Sequence, residues 1–192
     1  CTLTAAGWEA LLRHGVRTII SLLTDGMDEK TFAAVPRPPI LTTLHLAIED
    51  INDAEFVQRW VDTSLWGTPL YFADTLRRWP EKHAAVVGAV ARAAPGGVLF
   101  HCRRGYDRTG IMSLLLLAFA GVPPEIIAED YEMSRDDMRT EALRRRGTTS
   151  REVIMQTLAG FEVEPYLLSG GLTRDDLQTL RERLLEPAGA PA

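Results

Sequence analysis

Apolar positions along this chain follow two rhythms. Three short runs in the first hundred residues are dense in aliphatic side chains: Val16 to Leu23, Ile40 to Ile48, and Val98 to His101. Runs of that length and composition, bounded by Gly and Pro, predict strands. Elsewhere the apolar positions recur at helical spacing. Thr4 to His14 predicts a helix with Thr4 as N-cap and Trp8, Leu11 and Leu12 on one face, stopped by Gly15. Asp50 to Val61 predicts a weak helix, Leu70 to Trp79 a stronger one, and Pro80 opens another that runs to Ala94. Beyond residue 101 only the helical rhythm remains. It covers Thr109 to Ala120, Pro123-Pro124 to Met133, Asp136 to Arg146, Ser150 to Gly160 and Thr173 to Leu185.

The stretches between are loop by composition. Thr24 to Pro39 carries Asp25-Gly26 and three prolines, with one turn of helix over Thr31 to Val35. Asp62 to Pro69 and Pro95-Gly96-Gly97 also break the pattern. Strands separated by helices predict an α/β fold: a central, largely parallel sheet flanked by helices, with a helical C-terminal half. No repeat or linker divides the sequence, so residues 1–192 read as one domain.

Composition narrows the partners. The chain has 192 residues, 46% hydrophobic and 24% charged, which suits an ordinary globular core. A net charge of −5 argues against nucleic acid as a partner. The longest apolar run, Ile111 to Val122, is too short to span a bilayer, and no signal-peptide pattern opens the chain. No stable membrane insertion is expected, and a cytoplasmic location is. The sequence starts at Cys1 without Met and reads as lacking its native N-terminal segment. Cys1 and Cys102 are the only cysteines, so no disulfide framework is implied, and Cys1 reads as an incidental thiol. His14, His45 and His83 have no companions at metal-ligand spacing. Neither a metal nor another cofactor is expected. Arg144-Arg145-Arg146 reads as a solvated helix end, favourable at the negative pole of the dipole.

The chemistry concentrates in residues 101–110, His-Cys-Arg-Arg-Gly-Tyr-Asp-Arg-Thr-Gly. This stretch joins a predicted strand to a predicted helix. Backbone N–H groups at a helix start have no intrahelical partner and carry the positive end of the dipole, so the junction is an anion site before any side chain is added. Gly105 allows positive φ, which lets successive N–H groups converge. Arg108 can grip two phosphate oxygens. Cys102 lies at the base, where the same N–H groups stabilise a thiolate. Thr109 can donate its hydroxyl to the sulfur, and His101 can fix the loop through its ring. A thiolate facing a bound tetrahedral dianion is what covalent phosphoryl transfer needs.

His101-Cys102-x-x-Gly105-x-x-Arg108-Thr109-Gly110 resembles the signature of the Cys-based protein tyrosine phosphatases. The stretches "LTAAGWEALLRHGVRTIISL" and "IIAEDYEMS" extend the resemblance, to the bacterial tyrosine/serine phosphatase group, over Leu3 to about Arg135. The resemblance implies a phosphatase-like fold and hydrolysis of phosphotyrosine, with dual specificity or a phosphoinositide substrate as the alternatives. In that group, as in the myotubularin lipid phosphatases, the loop carries an Asp before the Arg, which assigns the general acid to Asp107. Asp62 and Asp74, which precede the loop, are the rivals.

Two features depart from the group. Tyr106 stands where the group usually has Lys; it can stack on an aromatic substrate, with Arg103 and Arg104 replacing the charge. The group's upstream Arg-Asp-Leu-Gly-Gly-like stretch is absent from this sequence. Two further readings stay open: a non-catalytic phospho-ligand binding module, and a rhodanese-like or arsenate-reducing enzyme. The intact Cys102, Arg108 and Asp107 count against the first, and the shortage of relay thiols against the second.

Overall fold

The computed structural model describes residues 3–25, 38–134 and 136–185. Cys1 and the turn expected over Thr31–Val35 lie outside them. Strands β1 (Val16–Ser21), β2 (Thr42–His45) and β3 (Gly97–His101) form a sheet in the order β2-β1-β3, and both pairings are parallel. Ser21 lies opposite both His45 and His101, so the three strands end at one edge. β1 is central and buried from Thr18 to Ser21, which is why its sequence does not alternate apolar with charged positions there. The edge strand β2 is exposed and half as long as its sequence suggests.

Helix α1 (Ala5–Arg13) precedes β1, with Thr4 accepting a hydrogen bond from Gly7 N–H at 3.2 Å. The weak helix expected from Asp50 is shorter: α2 (Ala54–Phe56), capped by Asp53, runs into one π turn, Val57–Val61. The next predicted helix is split into a 3₁₀ turn, Pro69–Tyr71, and α3 (Phe72–Arg78); α4 (Pro80–Ala91) follows. α5 (Asp107–Phe119) is buried on most sides, with Ile111, Met112, Leu114, Leu115 and Phe119 in the core.

The helical half comprises α6 (Pro124–Glu132), α7 (Asp137–Arg144), α8 (Ser150–Leu158), α9 (Val163–Ser169) and α10 (Arg174–Leu185); α6 and α9 pack on α5, α8 packs on α6, and α10 packs on α4. The sequence predicts no element between Gly160 and Thr173. α9 forms there because Pro165 falls in its first turn, where a missing N–H costs nothing, and because Leu167 buries completely. No helix among the described residues is long and apolar enough to cross a bilayer.

Candidate active site

Each parallel strand delivers a side chain just past its C-terminal end: Thr24 after β1, Glu49 after β2 and Cys102 after β3. Crevices at that edge are where ligands bind in open α/β sheets. α5 begins at Asp107, two residues earlier than the sequence suggests, and the Gly110 N–H donates to the Tyr106 carbonyl at 2.7 Å in its first turn. Asp107 and Arg108 therefore belong to the helix start, and both are buried.

Cys102 is a buried free thiol. Its sulfur accepts from the Gly105 N–H and from the Thr109 hydroxyl, each at 3.2 Å. The same Thr109 oxygen accepts from the Cys102 N–H at 3.1 Å, which ties the loop's base to the helix. Gly105 sits at φ +76° with open space around it, so its requirement is conformational. His101 donates through Nδ1 to the Cys102 carbonyl at 3.1 Å.

Arg108 is only 5% exposed, and its guanidinium is held from behind. It donates to the Thr24 hydroxyl at 2.8 Å and approaches the Leu22 carbonyl at 3.4 Å. The Thr24 hydroxyl donates onward to Glu49 at 3.2 Å, and the Trp66 indole N–H donates to the same carboxylate oxygen at 3.0 Å. The Trp66 ring lies under the Arg108 guanidinium, 5.2 Å from its centroid. Burial pushes the Glu49 carboxyl up, and the Arg108 charge pulls against that rise.

Asp107 faces Cys102 and Arg108 across a cavity of about 250 Å³, whose walls also include Trp66, Arg103, Arg104 and Arg139. Burial raises its carboxyl to about 7, although the neighbouring Arg139 and Arg108 charges oppose the shift. Its Oδ2 accepts from Arg139 at 2.7 Å. A carboxyl poised near neutrality can give a proton in one step and take one in the next.

The remaining expected residues divide. Arg103 and Arg104 are exposed and line the cavity, with Arg104 3.9 Å from Asp136. Tyr106 is not among the cavity walls; its ring carries the Arg139 guanidinium at 4.5 Å. Gly110 packs against Tyr131, whose ring carbons would lie 2.7 and 2.9 Å from an added Cβ. Asp62 is exposed and Asp74 buried, and neither lines the cavity. Burial raises the Asp74 carboxyl, but hydrogen bonds from Trp60, Arg78 and Arg77 outweigh it and hold it low. His45 pairs with Asp25 at 2.6 Å, while burial pushes His83 down to about 4. Arg144 and Arg145 pair with Glu141 at the helix end.

Sequence reasoning missed Thr24, Glu49, Trp66 and Arg139. Glu49 carried one faint signal, an acidic residue directly after an apolar strand. The others look like ordinary loop or helix residues until the strands align.

The family whose model matches is described as the tyrosine phosphatase family, and the match covers residues 1–186. A tyrosine-protein phosphatase of Nostoc commune is 51% identical over 45 residues, 23% of this chain and 15% of that protein. The triple specificity protein phosphatase PtpB of Mycobacterium tuberculosis is 35% identical over 74 residues, 35% of this chain and 26% of that protein. The chain thus spans about a quarter or less of these two relatives. With the family match running through the sheet, the Cys102 loop and the helical half, this chain belongs to the tyrosine phosphatase family.

Proposed function

We propose that the chain hydrolyses phosphate monoesters on protein, phosphotyrosine foremost, through a cysteinyl-phosphate. The Cys102 thiolate attacks phosphorus while Arg108 and the loop N–H groups hold the equatorial oxygens. The bond from phosphorus to the ester oxygen breaks, and Asp107 gives that oxygen its proton. Water then attacks the cysteinyl-phosphate, Asp107 takes the water's proton, and sulfur leaves as thiolate with the Thr109 hydroxyl donating to it. No cofactor enters these steps. The observation that carries the reading is a buried carboxyl raised to about 7 in the same cavity as a doubly hydrogen-bonded cysteine.

A phosphoinositide substrate is a second reading, favoured by the four guanidinium groups of Arg103, Arg104, Arg108 and Arg139 around one cavity. A reducing compartment suits both readings, because Cys102 must stay a thiol. The test is phosphate release from an aryl phosphate, a phosphotyrosine peptide and a soluble phosphoinositide, with the chain and its Cys102→Ser variant side by side. Turnover is expected to vanish with the sulfur. Undiminished turnover in the variant would refute the cysteinyl-phosphate.

A further inference from the structure

Arg139 is absent from the chemistry above, yet it has three attachments to the site. Its NH2 donates to Asp107 Oδ2 at 2.7 Å, its guanidinium lies 4.5 Å from the centre of the Tyr106 ring, and its side chain forms part of the cavity wall. The residue across from it is Gly67, where an added Cβ would sit 3.2 Å from Arg139 NH2, so a glycine there leaves room for the guanidinium. The ion pair is half made. Arg139 NH1 and Asp107 Oδ1 are both buried and have no hydrogen-bond partner among the described residues. A guanidinium on a carboxylate normally uses two parallel N–H bonds. Here one N–H edge is spare beside a cavity that has to receive a dianion.

The pairing also opposes the first chemical step. A guanidinium against Asp107 favours the carboxylate, whereas protonation of the leaving oxygen requires the acid. We propose that Arg139 is a substrate-responsive positioning residue: it pairs with Asp107 in the empty cavity and shifts its donors to the oxygens of the incoming phosphate monoester, so that Asp107 holds its proton once substrate is bound. After the leaving group departs, Asp107 is a carboxylate again and Arg139 can return to it. The Tyr106 ring keeps the guanidinium in place through both positions, since cation–π attraction needs no fixed hydrogen-bond direction. The proposal rests on Asp107 being the acid.

The other charges around Asp107 do not alternate in this way. Arg108 lies on the same helix and is anchored to Thr24. Glu49 follows β2, Tyr71 precedes α3 and Tyr131 belongs to α6; each lies within electrostatic reach of Asp107, as does Arg108. Asp136 caps α7 and lies 3.9 Å from Arg139 Nε.

The experiment compares pH profiles of kcat and kcat/KM for the chain, Arg139→Gln, Arg139→Met and Arg139→Lys, on an aryl phosphate. The kcat/KM profile reports the free enzyme and kcat the complex. The unaltered chain should lose kcat/KM above about pH 7, and its kcat at a higher pH, because bound substrate has taken Arg139. Losing the cation should move the kcat/KM limb up by about one pH unit and narrow the gap between the limbs. KM should rise roughly tenfold, the equivalent of one charged hydrogen bond. Arg139→Lys keeps the charge and should keep the limb. Two neutral variants guard against one failing to fold. Where Cys102→Ser abolishes turnover, profiles of the neutral Arg139 variants that superimpose on that of the unaltered chain would overturn the role of Arg139 alone. Activity surviving Cys102→Ser would instead overturn the underlying reaction.

Discussion

Replacing Asp107 by Asn keeps the side chain's shape and removes its titration. Two consequences follow, one in catalysis and one in stability. A general acid contributes roughly 10²–10⁴-fold when the leaving group needs its proton. An alkyl phosphate or an unactivated phenyl phosphate should therefore lose kcat by about that factor. A 4-nitrophenyl ester, whose phenolate leaves unaided, should lose much less. Asp74→Asn is the control: its carboxyl is already held low by hydrogen bonds from Trp60, Arg78 and Arg77, so it should leave the ratio between the two esters unchanged.

The stability effect has a definite sign. Burial raises Asp107 from 3.8 to about 7, so between those values the folded chain binds a proton that the unfolded chain does not. Stability from this group is full below pH 4 and is lost as pH rises towards 7. A rise of about three pH units corresponds to roughly 4 kcal/mol. At about 2–4 °C per kcal/mol for a chain of this size, the parent's Tm minus the variant's should fall by around 10 °C across that window. The measurements are kcat at pH 6 on both esters and Tm against pH. Equal loss on both esters would refute the acid role, and a Tm difference flat from pH 4 to 7 would refute the buried, raised carboxyl.

Two further perturbations probe the loop and its packing. Thr109→Val removes the hydroxyl that donates to Cys102 Sγ at 3.2 Å, so breakdown of the cysteinyl-phosphate should slow by about 10–100-fold, the worth of one charged hydrogen bond. A burst of phenol in rapid mixing followed by slow turnover would show it, and linear release would exclude it. Gly110→Ala puts a methyl against the Tyr131 ring, which is already packed edge-on to Phe72 at 5.5 Å. Overpacking there should cost about 1–3 kcal/mol, read as a lower urea midpoint at unchanged slope.

The chain's own pattern carried the architecture. β1 reads as a buried strand because neighbours pair with it on both sides, and the apolar run of α5 reads as a core helix. Boundaries were less legible where packing overrides local preference. The helix after the Cys102 loop starts at Asp107 rather than Thr109, and α9 forms across a proline because Leu167 has a core to enter. Within the site, residues 101–110 could be read directly, since neighbours in sequence share one loop and its backbone geometry sets their relation. Arg139, 32 residues from Asp107, and Thr24, 84 residues from Arg108, carried no such signal.

The sequence alone thus determined which groups are present: a thiol, a guanidinium, a carboxyl and a hydroxyl at fixed offsets on a strand–loop–helix. It could not determine their state. Asp107 has the same covalent structure as Asp62 and Asp74, yet the three sit buried and raised, exposed, and buried but held low. Desolvation and nearby charge set those differences, and both depend on which distant segments pack around a group. The parallel register that brings Ser21, His45 and His101 level is what gathers Thr24, Glu49 and Cys102 at one edge. Only the folded chain decides that.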